Sequence, residues 1–83
     1  MDITPGALKH GIPADAIRAV VAAPLWRADQ DPGRTLCIGP DRDRNLLEVV
    51  VEHGPAGERV VHAMRLRPKH YGHLRQAHRY RAG

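Results

Sequence analysis

The stretch RVVHAMRLRPKHY, residues 59–71, decides the fold. It begins as an apolar run with the composition of a β-strand and changes within one strand length to arginine, lysine, histidine and tyrosine. Alternate residues of a strand share a face. One face is therefore predicted to carry Val60, His62, Met64 and Leu66, and the other Arg59, Val61, Ala63, Arg65 and Arg67. Pro68 lacks an N–H group, so the strand is expected to end at or just before it.

Charge is distributed unevenly along the chain, whose net charge is +4. Residues 1–58 contain 6 lysines and arginines and 9 acids, whereas residues 59–83 contain 7 lysines and arginines and no acid. Such a one-sided distribution attracts polyanions or an acidic protein. The carboxyl end of the strand is therefore predicted to face an anion, with RNA as the leading candidate. The alternative for residues 75–83 is a flexible, solvated basic tail.

Two short helices are predicted before the strands. Thr4 followed by Pro5 is a typical helix start, and Gly11 is a typical end. Pro13 begins the second helix and Pro24 ends it. The apolar face of this second helix is predicted to comprise Ile12, Ala16, Ile17, Val20 and Val21.

Four strands joined by turns are predicted to follow, at residues 25–29, 34–39, 46–53 and in the opening stretch. The sequence thus predicts an α+β fold with two N-terminal helices packed on a four-stranded antiparallel sheet and a short C-terminal helix within residues 71–78. The helices are expected to cover the apolar face of the sheet, and the polar face is expected to be exposed or concave. Residues 1–83 are predicted to form a single domain.

The core is expected to be light, because the chain has no phenylalanine and one tryptophan. A partner chain or a homodimer would add to it. Cys37 is the only cysteine, so no intramolecular disulfide can form, and it is expected to be a small core residue. No apolar run has the length of a membrane span, and no signal pattern begins the chain. These features predict a cytoplasmic protein with no membrane partner.

Neither a metal site nor a cofactor is predicted. The six histidines lack metal-ligand spacing, and no phosphate-binding glycine loop or nucleophile elbow is present. RNA cleavage needs less machinery, because the ribose 2′-OH is itself the nucleophile and the protein supplies a base, an acid and cations. His62 is a candidate for proton transfer. Glu48 and Glu52 are candidate bases on the neighbouring strand, although no spacing singles out either one.

Each candidate also has a purely structural interpretation. His62, between Val60 and Met64, is alternatively a hydrogen-bonded core histidine. Arg65 and Arg67 are alternatively ion-pair partners of the acids in the first half of the chain. The other candidates have similar alternatives: a cationic end for the first helix at Lys9 and His10, and core packing for Trp26.

The order of several short motifs resembles BrnT-type toxins, which are small ribonucleases of bacterial type II toxin–antitoxin pairs. The matching positions are Lys9-His10-Gly11-Ile12, Ala16, Pro24, Arg34, Ile38-Gly39, residues 46–50 and residues 60–63. The resemblance implies a RelE-like fold, cleavage of mRNA that arrests translation, and inhibition by a cognate antitoxin. The family arginine after Ala63 is Met64 here, and Arg65 or Arg67 is the candidate for the missing guanidinium.

The leading hypothesis is a metal-independent endoribonuclease toxin neutralised by a partner protein. Its catalytic candidates are His62, His10, Arg65, Arg67 and Tyr71, and its RNA-binding candidates are Lys9, Arg34, Lys69 and His70. In this hypothesis a histidine moves the proton, the cations hold phosphate, and the tyrosine stacks on a base or assists. The alternatives are a non-catalytic RNA- or ribosome-binding module and a small structural subunit whose basic tail docks on an acidic protein.

Overall fold

The computed structural model describes residues 1–30 and 32–75. Five strands and two α-helices follow one another along the chain: β1 (Asp2–Ile3), α1 (Pro5–Leu8), α2 (Ala14–Ala22), β2 (Trp26–Gln30), β3 (Arg34–Pro40), β4 (Leu46–Gly54) and β5 (Gly57–Arg65). A 3₁₀ helix (Pro68–His70) comes next, and residues 71–75 are helical. The predicted tail at 75–83 and the end of the predicted 71–78 helix lie, after Arg75, outside the described residues.

The predicted fold class is wrong. The described chain is mostly one five-stranded mixed sheet in the order β1-β5-β4-β3-β2, with only small helices, rather than two helices on a four-stranded antiparallel sheet. β1 pairs in parallel with β5, through Asp2 with Arg59 and Ile3 with Val60, and the other neighbours are antiparallel. A strand of two residues is too short to show the alternation by which strands are predicted.

Thr4 joins this parallel strand to the first helix. Its backbone N–H and its hydroxyl both donate to the Val60 carbonyl, at 3.1 and 2.8 Å. The hydroxyl also accepts a hydrogen bond from the backbone N–H of Ala7 at 3.4 Å, which confirms Thr4 as the N-cap of α1. One residue thus ends β1, begins α1 and attaches both to β5.

The main core lies between the helices and one face of the sheet. Its buried members are Ala7, Ile17, Val20, Cys37, Leu47, Val49, Val51, Val60 and Ala63. The set includes the alternating apolar residues of β4 and confirms Cys37 as a buried core residue. From the predicted apolar face it includes Ile17 and Val20, whereas Ile12, Ala16 and Val21 are partly buried and pack against it. Burial of these side chains provides the main favourable free energy of folding.

A β-bulge in β5 changes which residues share a face. Val51 pairs with Val60 and Val50 pairs with His62, so Val61 has no opposite residue on β4. The extra residue reverses the alternation at this point. Val60 therefore packs in the core with Ala63, and the prediction that it shares a face with His62 is wrong.

The second face of the sheet is also partly apolar. Leu36, Ile38 and Leu66 are buried there, and Trp26, Leu46, Val50 and Leu74 pack against them. The prediction that this face is polar is therefore wrong in part, since it carries a second apolar cluster and the segment after β5 covers some of it. Within residues 1–30 and 32–75, no helix is long and apolar enough to cross a membrane.

Candidate functional site

Glu48 is the centre of a charged cluster on the second face. It lies in β4 between Ile38 of β3 and Met64 of β5, both directly opposite in register. Only 1% of its surface is exposed. A carboxylate in such an apolar position is tolerated only when other groups satisfy it.

Arg67 provides most of that compensation. Its backbone N–H and its Nε–H donate to Oε1 of Glu48, at 2.9 and 3.0 Å, and its Nη2 donates to Oε2 at 2.6 Å. This two-pronged pairing matches the geometry of a guanidinium to that of a carboxylate. The sequence places Arg67 there because a residue before proline adopts extended backbone, and Pro68 begins the 3₁₀ helix.

His62 completes the cluster. Its Nε2 lies 2.9 Å from Oε2 of Glu48. Burial is the largest influence on the pKa of Glu48 and would raise it. Hydrogen bonds from the side chain and backbone of Arg67 and from His62 outweigh burial and lower the pKa to about 2. The same pairing raises the pKa of Arg67. Glu48 is thus an anion at neutral pH and a poor proton acceptor.

The charge of Glu48 determines the proton positions on His62. An ionised carboxylate only accepts hydrogen bonds, so His62 donates through Nε2–H. In the neutral ring Nδ1 then carries the lone pair. A buried carboxylate that orients an imidazole in this way prepares it to act as a base, and 26% of the His62 side chain is exposed to solvent.

His10 lies beside His62. The two ring centroids are 6.0 Å apart and the rings are inclined by 72°. His10 follows α1 and is exposed. The structure therefore brings together the two histidines that the sequence proposed as alternative proton carriers, along with Arg67.

His70, a predicted RNA-binding residue, also lies near Glu48. Its Nε2 lies 3.6 Å from Oε2 of Glu48, and 13% of its side chain is exposed. Burial is the largest cause that lowers the pKa of His70, and neighbouring cations add to it against the attraction of Glu48. His70 and His73 stack at 5.6 Å, and His73 stacks on Trp26 at 4.1 Å. These contacts hold residues 70–73 on the sheet, a packing role in keeping with the structural interpretation of Trp26.

The other predicted residues lie outside the Glu48 cluster. Arg65 and Tyr71 line a separate cleft with Arg44, beside Leu66. Arg34 pairs with Glu52 at 3.1 Å, near the opposite end of β4 from the Glu48 cluster. The remaining RNA-binding candidates, Lys9 and Lys69, are exposed.

Sequence analysis did not identify two features of the site, the central position of Glu48 and the position of Arg44. In the sequence Glu48 and Glu52 are equivalent candidate bases, because both alternate with apolar residues on β4. Only the tertiary contacts of Glu48 distinguish it from Glu52. Arg44 was part of a charged loop, yet it adopts a φ of +65° and lines the cleft beside Tyr71. The sequence feature that could have indicated this conformation is an arginine in a short loop, at a position where glycine or asparagine usually adopts the left-handed backbone.

A second polar cluster lies on the helix-covered side of the sheet. The Thr35 hydroxyl is 2.7 Å from Nε2 of His53 and 3.1 Å from Oδ1 of Asp29, and His53 Nδ1 is 3.3 Å from Glu58. Among the residues that the structure describes, no group of three or more histidines, cysteines and acids is arranged to hold a metal ion.

Comparison of the chain with protein-family models, with curated proteins and with solved structures found no match. Any functional assignment therefore depends on the geometry of the site and on the resemblance of short motifs.

Proposed function

We propose that the protein is a metal-independent endoribonuclease whose active site is the Glu48 cluster. The observation that carries the proposal is the pair of histidine rings 6.0 Å apart, one of them held by a buried, ionised glutamate. Two adjacent imidazoles can serve as the base and the acid that RNA cleavage requires.

The chemistry can be written with these groups alone. Nδ1 of His62 removes the proton from the ribose 2′-OH, whose oxygen attacks the adjacent phosphorus. His10 in its protonated form gives a proton to the 5′-oxygen as the P–O5′ bond breaks. The products are a 2′,3′-cyclic phosphate and a free 5′-hydroxyl, so no metal ion or cofactor enters the reaction.

Arg67 is suited to stabilise the charge that builds up on the phosphate. Its Nε and Nη2 hold Glu48, whereas its Nη1 makes no hydrogen bond to a described residue. The side chain is 41% exposed, so the free edge of the guanidinium is accessible. A fixed cation aimed at the developing negative charge commonly contributes a factor of about 10²–10³ to the rate. Lys9, next to His10, adds positive charge to the same region.

The resemblance to BrnT-type toxins supports a biological role for this chemistry. Lys9, His10 and Gly11 carry part of that resemblance, and Ala63 next to His62 carries another part. Arg67 supplies a guanidinium close to the position where the family pattern has arginine and this chain has Met64. We therefore propose a cytoplasmic toxin that cleaves mRNA and is neutralised by a cognate antitoxin protein.

Cleavage of a fluorescent single-stranded RNA in excess chelator tests the chemical proposal. The wild type should release a product with a 2′,3′-cyclic end, and an all-2′-O-methyl copy of the RNA should stay intact. His62→Asn and His10→Asn should each lower the rate by about 10²–10⁴-fold. His53→Asn is the matched control, because His53 is also hydrogen-bonded but lies in the other cluster, and it should cleave normally.

Circular dichroism establishes that each variant is folded before its rate is compared. Absence of cleavage by folded wild type, together with salt-sensitive RNA binding, would overturn the nuclease proposal in favour of a binding module.

Induced expression of the protein in a bacterial host tests the biological role. Growth should stop with the wild type and continue with His62→Asn, and continued growth despite active soluble enzyme would contradict the toxin role.

A further inference from the structure

An open cleft of about 580 Å³ lies next to the Glu48 cluster. Three leucines line it, Leu46, Leu66 and Leu74, and all are at least half-buried. Arg44, Arg65 and Tyr71 line it as well, and these three side chains are exposed. Pockets of roughly 300–1,000 Å³ that combine apolar walls with a few polar groups are typical ligand sites.

Two guanidinium groups and no acidic side chain line the cleft, and the carboxylate of nearby Asp41, whose pKa Arg65 helps to lower, compensates Arg65 only in part. The structure describes no salt bridge for Arg44 or Arg65, whereas Arg34, Arg59 and Arg67 each pair with a glutamate. Two guanidinium groups in one cleft repel each other unless an anion lies between them. The charge of the cleft therefore favours an anionic ligand.

The loop that carries Arg44 is held in place independently of any ligand. The Asp41 carboxylate accepts hydrogen bonds from the backbone N–H groups of Asp43 and Asn45, at 2.9 and 2.8 Å. Arg44 has a φ of +65°, a conformation that a side chain with a Cβ seldom adopts. Such a residue, held by its surroundings in an unfavourable conformation, often marks a functional position.

Tyr71 supplies the second half of a recognition site. The residue is 48% exposed although its side chain is a large aromatic group. An exposed aromatic ring beside cations is the arrangement by which proteins stack single-stranded nucleic-acid bases and hold their phosphates. Asn45 also lines the cleft, and its side-chain amide donates to Asp41 at 3.3 Å, which leaves the amide oxygen free toward described residues.

We propose that this cleft binds one nucleotide of single-stranded RNA, with the base stacked on Tyr71 above the leucines and the adjoining phosphates on Arg44 and Arg65. This proposal rests on the proposed nuclease function, which makes RNA the ligand. Leu46 precedes Glu48 by two residues on the same strand face, a separation of about 7 Å. A nucleotide in the cleft would therefore direct the next phosphate along the chain toward His62 and Arg67.

Binding is measured separately from cleavage with an all-2′-O-methyl RNA decamer, which cannot form the nucleophile. Fluorescence anisotropy with the 83-residue chain should show that Tyr71→Ala weakens binding by at least about fivefold, whereas Tyr71→Phe, which keeps the ring, stays within about twofold. Arg44→Gly removes the cation from a backbone position that glycine favours. It should weaken binding by about fivefold to tenfold.

Arg42→Ala is the matched control for charge. Arg42 is in the same loop and does not line the cleft, and among the described residues its only salt bridge is a long one of 3.8 Å to Asp15. This variant loses the same charge as Arg44→Gly and should bind the decamer almost normally. Equal loss of affinity in both variants would mean that only overall charge matters, and would overturn the proposal.

Titration of ¹⁵N-labelled protein with adenosine or uridine 5′-monophosphate locates the binding. Amides of residues 44–46, 65–66 and 71–74 should shift, and ribose 5-phosphate should bind more weakly because it lacks a base. Equal binding of ribose 5-phosphate, or shifts confined to other residues, would overturn the proposal.

Two outcomes distinguish this inference from the nuclease proposal. RNA that binds through the cleft without being cut would contradict the nuclease function alone. Cutting that is insensitive to Tyr71→Ala, with unchanged affinity, would sink this inference alone.

Discussion

Two glutamates of β4 form similar ion pairs in very different surroundings. Glu52 pairs with Arg59 at 2.6 Å and with Arg34 at 3.1 Å, and 25% of its side chain is exposed. Glu48 pairs with Arg67 at 2.6 Å and is 1% exposed. Water can replace the partners of Glu52, whereas nothing but protein can satisfy Glu48. Burial therefore turns an ordinary ion pair into a cluster that orients a histidine.

The largest difference between the two clusters should appear in catalysis. Arg67→Lys keeps the positive charge near Glu48 but loses the two-pronged geometry, and we expect the rate of RNA cleavage to fall by about 10²-fold or more. Arg34→Lys should change the rate by less than about threefold. Single-turnover rates measure both. Similar losses in the two variants would mean that the Glu52 cluster also belongs to the proposed active site.

The next largest difference should appear in thermal stability. Glu48→Gln removes the negative charge that pairs with Arg67 and accepts the hydrogen bond of His62, and we expect the melting temperature to fall by roughly 10 °C. Glu52→Gln changes an exposed network and should lower it by a few degrees at most. Calorimetry of the two variants beside the wild type makes the comparison. Equal shifts would contradict the importance given to burial.

Acid should remove the contribution of ionised Glu48 to the unfolding free energy within a defined pH range. Its pKa is about 2 in the folded protein and 4.5 without these contacts. The stabilisation is therefore fully present above about pH 4.5 and is lost as the pH falls toward 2. Allowing for screening at half-exposed Arg67, it is worth about 2 kcal/mol. The difference in unfolding free energy between wild type and Glu48→Gln should shrink across this range in urea titrations.

Asp41 and Glu52 also have lowered pKa values, mainly through the hydrogen bonds of Asn45 and of Arg59 respectively. Both groups are present in wild type and in Glu48→Gln, so their acid titration cancels from the difference. A difference that stayed constant from pH 5 to pH 2 would show that Glu48 is not held in its ionised form.

Salt should give the smallest effect. Exposed ion pairs are screened at high ionic strength, and buried ones much less so. The small change in melting temperature caused by Glu52→Gln should therefore disappear when sodium chloride is raised from 0.05 to 0.5 M, whereas the change caused by Glu48→Gln should persist. Melting curves of the wild type and both variants at the two salt concentrations measure these changes. Persistence of the Glu52→Gln effect would show that this network is less exposed to solvent than its geometry indicates.

Local sequence was sufficient for the features that depend on neighbouring residues. Thr4 before Pro5 marked the start of α1, and Pro13 and Pro24 bracketed α2. The alternation in β4 identified the strand and its apolar face, because a period of two requires only a few residues to appear. Pro68 marked the end of the last strand, and the concentration of basic residues around it pointed to the region that contains the candidate site.

Tertiary structure alone decided which of these residues meet. The pairing of β1 with β5 changed the sheet from four antiparallel strands to five mixed ones, since a two-residue strand carries no pattern of its own. The bulge at Val61 turned His62 away from Val60 and toward Glu48. His10 meets His62, and Glu48 meets Arg67, across long separations in sequence. Such contacts depend on strand order and register, which arise from packing of the whole chain rather than from the preferences of any one segment.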